Sequence, residues 1–207
     1  EAILAGKAPV TACAPAGADG AAKIAAIMGM EAPSGEKMVA HVLCNGGTNA
    51  AKRYEYVGVK DCLSATKVAG GPLECQFGCL GFGDCVAVCA FDAIHINPET
   101  GLPEVDADKC TACGACVKAC PKMIIELRKK WPKNRAVYVS CVSKDKGAVV
   151  MKACKAGCIG CGKCAKNCPT GAISGKIKHP HVINNDVCIK CGSCKDNCNF
   201  DAVYVEA

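Results

Sequence analysis

Aromatic side chains are scarce in this chain, at 4% of residues. That speaks against the stacking platforms that hold single-stranded nucleic acid. Histidine is rarer still, at four of 207 residues, and their positions suggest no nucleophile–base pairing. No apolar run approaches the length of about 18 residues that a membrane-spanning helix needs. A signal-peptide pattern is missing as well. There is no G-x-G-x-x-G after a strand and no P-loop, so no nucleotide site and no catalytic site of the chain's own are expected. The chain opens Glu1-Ala2-Ile3-Leu4, without Met and as if in mid-helix. A truncated or processed start is therefore expected, with any membrane anchor upstream of Glu1.

What the chain has in abundance is cysteine, 21 residues in all. Cys158, Cys161, Cys164, Cys168 and Pro169 read C-x2-C-x2-C-x3-C-P, and Cys110, Cys113, Cys116, Cys120 and Pro121 repeat it. Cys188, Cys191, Cys194 and Cys198 repeat the spacing without the proline. A stretched copy runs through Cys75, Cys79, Cys85 and Cys89. Cysteines this close do not meet disulfide geometry easily, and an odd total leaves one thiol over. Zinc sites take two C-x2-C pairs separated by a longer loop, which is a different pattern. The spacing is that of bacterial two-cluster ferredoxins, in which the fourth cysteine ligates the other cluster. Iron-bound thiolates need a reducing compartment, so the cytoplasmic side is expected.

The formal charge of +6 counts cysteine as neutral. Each oxidised four-thiolate [4Fe-4S] unit carries about −2, so four of them bring the total to about −2. The basic balance is thus weak support for a nucleic-acid partner, and none is expected.

The expected fold is α+β, with two tandem bacterial-type 2[4Fe-4S] ferredoxin-like units behind a small helical segment and a mixed α/β segment. Residues 1–33 are Ala-rich, with Ala22, Ile24, Ala25 and Met28 at helical spacing. Residues 34–72 form the mixed segment, with a strand at 38–43, a turn at Asn45-Gly46-Gly47 and a structural role for His41. The ferredoxin-like units are 73–127 and 153–207. Each has a short apolar stretch (Phe91 to Ile94, Thr170 to Ile173), a hairpin, and an acidic residue two before the next cysteine (Asp108, Asp186). The gap from Cys89 to Cys110 is 21 and that from Cys168 to Cys188 is 20. Residues 128–152 are a basic linker and strand. Its run Arg128 to Arg135 reads either as a solvated linker or as a docking patch for an acidic ferredoxin.

A cube-shaped cluster needs four thiolates at tetrahedral corners. The tight loop wraps three of them because Gly114, Gly160, Gly162 and Gly192 let the backbone fold closely, and backbone N–H groups then face the sulfurs. By the crossover rule, Cys75, Cys79, Cys85 and Cys120 form one set, and Cys89, Cys110, Cys113 and Cys116 the second. Cys158, Cys161, Cys164 and Cys198 form the third, and Cys168, Cys188, Cys191 and Cys194 the fourth. The first is the least regular, and a degraded motif is its alternative reading. Cys154 competes with Cys158 as a ligand. Cys44, Cys62 and Cys141 read as buried small hydrophobes or reduced thiols.

The order of parts resembles the B subunit of the Rnf complex, a membrane-bound ferredoxin:NAD oxidoreductase that pumps sodium ions or protons. The resemblance rests on Glu1 to Gly17 around Cys13, on Cys44-Asn45-Gly46-Gly47, on Tyr56-Val57-Gly58-Val59-Lys60-Asp61-Cys62, and on Gly81-Phe82-Gly83-Asp84-Cys85. It implies electron entry from reduced ferredoxin, other membrane subunits as partners, and a place on the cytoplasmic face of the membrane. Membrane contact would come only through the missing N-terminal anchor. It also implies a fifth [4Fe-4S] cluster, bound through Cys13 and cysteines upstream of Glu1. In this chain Ala90 and Asn199 stand where proline follows the fourth cysteine. A soluble polyferredoxin of a hydrogenase or a bifurcating dehydrogenase is the alternative reading.

Overall fold

The computed structural model describes residues 2–10, 13, 16–30, 37–130 and 136–205. Trp131, Pro132, Lys133, Asn134 and Arg135 of the basic run, and Glu1 at the start, lie outside the described residues.

Helix α1 spans Gly17–Ile27. Its inward face is set by Ala21 and Ala25, both buried, with Ile24 and Met28 partly covered. That is the i, i+3, i+4, i+7 pattern of an amphipathic helix. Ala22, expected on this face, points outward.

The rest of the described chain builds two similar α+β units. In the first, β1 (Met38–Val42) precedes α2 (Cys62–Lys67), α3 (Asp84–Ala87), β2 (Ile94–Ile96), β3 (Pro103–Val105), α4 (Ala115–Ala119) and β4 (Ile125–Lys129). Strand β1 pairs antiparallel with β4, Met38 opposite Lys129 and Val42 opposite Ile125. Strands β2 and β3 form a hairpin. Its turn is held by Asn97, whose Oδ1 accepts the backbone N–H groups of Glu99 (2.8 Å) and Thr100 (3.2 Å).

The second unit repeats this plan. Strand β5 (Val137–Val139) is followed by α5 (Gly147–Ala153), α6 (Lys163–Lys166), β6 (Ile173–Ser174), β7 (Val182–Ile183), α7 (Ser193–Asp196) and β8 (Val203–Val205). Strands β5 and β8 pair antiparallel, and β6 pairs with β7. The units therefore reach further toward the N-terminus than the cysteine repeat suggests. The segment 38–42 closes the first unit and 137–139 closes the second, because each C-terminal strand needs a partner for its backbone groups. Among the described residues, 43–72 hold a 3-10 turn at Gly47–Asn49, α2 and two isolated bridges, but no further strand.

Each of α3, α4, α6 and α7 begins just after a glycine with positive φ: Gly83 (86°), Gly114 (77°), Gly162 (74°) and Gly192 (82°). Only glycine enters that region without strain. The turn delivers a cysteine as the second helical residue in all four: Cys85, Cys116, Cys164 and Cys194. Two-stranded sheets are marginal by themselves, and the apolar cores here are correspondingly small. Val39, Ala40, Val42, Ile94, Ile124 and Ile125 pack with Cys85 and Cys110 in the first unit. Val137, Val139, Ile173, Ile183 and Val203 pack with Cys194 in the second. Cysteines are thus part of each core.

Candidate metal centres

Among the described residues, four cavities are each lined by four cysteines, and three of these draw on the repeated cysteine blocks. The first takes Cys110, Cys113 and Cys116 from the loop into α4, and Cys89 from beyond the end of α3. The second takes Cys158, Cys161 and Cys164 from the loop into α6, and Cys198 from beyond the end of α7. The third takes Cys79 and Cys85 from around the start of α3, Cys120 from the end of α4, and Cys62 from the first residue of α2. In every case one cysteine comes from the far block of the repeat.

The third cavity departs from the set expected on spacing. Cys75 is not among its lining residues, and Cys62 is. The reason is a matter of register. In the regular blocks the first and third cysteines are six residues apart and the fourth follows four later: 110, 116, 120; 158, 164, 168; 188, 194, 198. Cys79, Cys85 and Cys89 keep that register, and Phe82 stands where the middle cysteine would be. Gly81 has positive φ like Ala112, Gly160 and Lys190 at the matching loop position. The block thus has the register of a regular loop with Phe82 at its middle position, and Cys62 lines the cavity from outside the loop.

Cys62 is positioned with care. Asp61 caps α2, accepting the Ser64 N–H at 2.6 Å. Both carboxylate oxygens of Asp84 grip the same helix start, taking the N–H of Cys62 at 2.7 Å and of Leu63 at 3.1 Å. The Phe82 ring lies against Tyr56, 5.7 Å between centroids.

Cys75 lines a different cavity, with Cys44, Cys141 and Cys154. Of the remaining block, Cys194 is buried in the second core, and Cys168 and Cys188 pack against that core, while Cys191 is exposed. Cys13 is exposed ahead of α1.

Several of the buried thiols share one electrostatic influence. Burial, reinforced by the neighbouring thiols Cys62 and Cys120, pushes Cys85 up to about 12. Burial likewise pushes Cys158 and Cys194 up to about 11. Buried thiols in a group resist ionisation together, since each thiolate repels the next. A positively charged metal core reverses that balance, because metal ligation requires the thiolate form. Cys168 moves the other way. Burial is the largest single influence and raises it, but the Thr170 hydroxyl, 3.7 Å from its sulfur, and backbone N–H groups at 170–172 together outweigh it. Backbone amides also point at sulfur elsewhere, with Ala93 N–H on Cys89 and Lys190 N–H on Cys188, both at 3.4 Å.

The geometry suits a multi-iron group better than a lone ion. Zinc at about 2.3 Å from each sulfur draws its thiolates to about 3.8 Å from one another. Among the described residues, no three His, Cys, Asp or Glu side chains converge tightly enough for a single ion. A cube puts each thiolate on a different iron and so holds them further apart. In the cavity of Cys110, the Thr111 hydroxyl is buried with no hydrogen-bond partner. It is free to donate to a bound sulfur. The donors available are soft thiolates, as iron–sulfur clusters require.

The described part of the basic run is largely engaged within the fold. Arg128 pairs with Glu126 and lies 5.4 Å over the Tyr138 ring. Lys130 meets Asp108 at 2.6 Å, and Lys129 lies 3.8 Å from Asp186. His41 is buried with its ring edge-on to Tyr138, 5.0 Å between centroids, in keeping with a structural role. Among the described residues, no helix is long and apolar enough to cross a membrane.

Comparison with known proteins agrees with this geometry. The 4Fe-4S dicluster domain matches residues 74–124, 109–172 and 157–202. The chain belongs to the 4Fe-4S dicluster family. The dicluster repeat is embedded in a longer likeness. The chain is 48% identical over 157 residues to the B subunit of the Na(+)-translocating ferredoxin:NAD(+) oxidoreductase complex of Acetobacterium woodii, covering 75% of this chain and 46% of that protein. It is 43% identical over 151 residues to the B subunit of the proton-translocating ferredoxin:NAD(+) oxidoreductase complex of Clostridium ljungdahlii, covering 72% and 52%. The B subunit of an ion-translocating oxidoreductase complex from Methanosarcina acetivorans is 38% identical over 174 residues, covering 84% and 64%. The Rnf resemblance read from the sequence is borne out by these likenesses. The chain spans about half the length of the first two relatives.

Proposed function

We propose that this chain carries single electrons through a series of [4Fe-4S] clusters, as a subunit of an ion-translocating ferredoxin:NAD oxidoreductase at the cytoplasmic face of the membrane. Reduced ferredoxin is the proposed electron donor and the other subunits of the complex are the proposed partners. The observation that carries the reading is the set of three four-cysteine cavities, each completed by a cysteine from outside its own loop.

The proposed ligand sets are Cys62, Cys79, Cys85 and Cys120; Cys89, Cys110, Cys113 and Cys116; Cys158, Cys161, Cys164 and Cys198; and Cys168, Cys188, Cys191 and Cys194. Cys13 is proposed to join ligands upstream of Glu1 in one more site. When bound, a [4Fe-4S] cluster takes up and releases one electron at a potential tuned by its surroundings. The chain's own contribution is that tuning. Backbone N–H groups directed at sulfur favour the more negative, reduced state, as Ala93 does at Cys89. Apolar walls such as Ile124 and Ile125 beside Cys85, and Val139 and Val203 beside Cys158, keep water from the thiolates. Low solvent access opposes added charge, so the two effects set the potential between them.

Mixing the anaerobic, oxidised protein with a reduced two-cluster ferredoxin tests the reading. The expected result is prompt bleaching of the visible iron–sulfur absorbance, with electron uptake matching ferredoxin oxidation. A protein that dithionite reduces but reduced ferredoxin does not would remove ferredoxin as the donor.

A further inference from the structure

Four cysteines outside the regular blocks, or displaced from them, meet at the seam between the two units. Cys44 follows β1, Cys75 precedes the first loop, Cys141 follows β5, and Cys154 ends α5. All four line one cavity. Two of them come from the first unit and two from the second. The seam itself is built by backbone bonds: Ala51 N–H to the Ala153 carbonyl at 2.9 Å, and Lys155 N–H to the Asn49 carbonyl at 3.0 Å. Ala50 and Cys154 form an isolated antiparallel bridge.

We propose that Cys44, Cys75, Cys141 and Cys154 hold a further [4Fe-4S] cluster that bridges the two ferredoxin-like units. This rests on the reading of the chain as an iron–sulfur protein, and it assigns chemistry to three cysteines that the repeat leaves without any.

Several independent features support the site. The cavity holds about 20 Å³, the same as each of the three cavities of the regular repeat. Its apolar walls include Leu43, Phe77, Val142 and Val150, and Asn45, Ser140, Ser143 and Asp145 also line it. Gly46 borders two of the thiols: a Cβ there would make ordinary contact with the Cys44 sulfur at 3.4 Å and the Cys154 sulfur at 3.6 Å.

Each thiol also faces backbone amides. The Cys44 sulfur accepts N–H groups from Gly46 and Cys79, both at 3.4 Å. Burial is the largest influence on Cys75, Cys141 and Cys154 and raises all three thiols, while backbone amides of Phe77 and Gly78, of Ser143 and Cys158, and of Ala156 oppose it. Such donors suit a sulfur that becomes anionic on binding metal. All four thiols are unbridged.

The neighbours give the site its place in the chain. The amide that reaches Cys44 belongs to Cys79, a proposed ligand in the first unit. The amide that reaches Cys141 belongs to Cys158, a proposed ligand in the second. The site thus touches the ligand loops of both units and is the natural crossing between them.

The test is anaerobic iron quantification, with Mössbauer spectroscopy, on the wild-type chain and on Cys141→Ser/Cys154→Ser, alongside Cys62→Ser. Residues 1–207, without the further site proposed at Cys13, are expected to hold about twenty irons. The double variant is expected to lose about four and keep the rest with unchanged circular dichroism; Cys62→Ser is expected to lose a different four or so. An unchanged iron content in the double variant overturns the proposal, as does a disulfide among the four found in the non-reduced wild type by mass spectrometry. Should the double variant lose all its iron by misfolding, the wild-type count decides: about twenty supports the seam site and about sixteen overturns it. A wild type with no iron at all would instead sink the electron-transfer reading as a whole.

Discussion

Asp84 holds Cys62 by its backbone, accepting the Cys62 N–H at 2.7 Å from a position one residue before Cys85. One carboxylate thus ties together two cysteines that are 23 residues apart in sequence. Replacing Asp84 with Ala leaves the start of α2 without this anchor. The expected outcome is several-fold faster iron release to a ferrous chelator, confined to about four irons. Release at the wild-type rate would show that Asp84 does not position Cys62.

Phe82 occupies the middle position of the first loop, and Cys62 lines the same cavity as Cys79, Cys85 and Cys120. Cys62→Ser is expected to cost about four irons. Adding Phe82→Cys to that variant restores a C-x2-C-x2-C loop and is expected to restore the iron. Iron analysis of the pair checks this directly, and a failure of the second change to rescue the first would argue against the register.

Asn185 clasps β5 to the second unit. It is buried, its Oδ1 accepts the Val137 N–H at 3.0 Å, and its Nδ2 donates to the Val137 carbonyl at 2.8 Å. Asn185→Leu leaves two buried backbone groups without partners, at about 1–3 kcal/mol each. Hydrogen exchange at 137–139 is expected to quicken by at least tenfold, while exchange in β1 and β4 stays unchanged.

His41 gives the chain a pH dependence with a definite sign. Burial, helped by the Arg128 charge and opposed by Glu126, lowers its pKa from 6.5 to about 4. The depressed folded value means that its neutral form is favoured in the fold. The stability this represents is fully present above pH 6.5 and is lost as the pH falls toward 4. His41→Phe keeps a ring against Tyr138 without the proton. The wild-type denaturation midpoint is expected to drop between pH 7 and pH 5 by more than that of the variant; equal drops would contradict the account.

Much of the fold is legible in the sequence because the units repeat. The hairpin turn at Asn97, the strand at 38–42 and the glycines before each short helix all follow from local chemistry. The partner of β1 does not, because its pairing with β4 sets Ala40 opposite Leu127, far along the chain. Cys62 is hidden for the same reason. It reaches its cavity through a helix start and a carboxylate, with no fixed spacing to Cys79. Cys75 lies four residues before Cys79 and reads as part of a stretched loop, whereas in the structure it lines a different cavity. The available signal is the constant six-residue step from first to third cysteine, which leaves Phe82 in the gap. Cys44, Cys141 and Cys154 have no spacing pattern at all and are brought together only by the docking of the two units.

We propose that the cysteines of this chain hold iron–sulfur cubes that exchange electrons with one another. Electron paramagnetic resonance of the anaerobic, dithionite-reduced protein, with iron counted on the same sample, tests it most directly. The account predicts broad signals from interacting S = 1/2 centres and at least about sixteen irons per chain. An iron-free protein carrying zinc, or about four irons with one isolated signal, would contradict it.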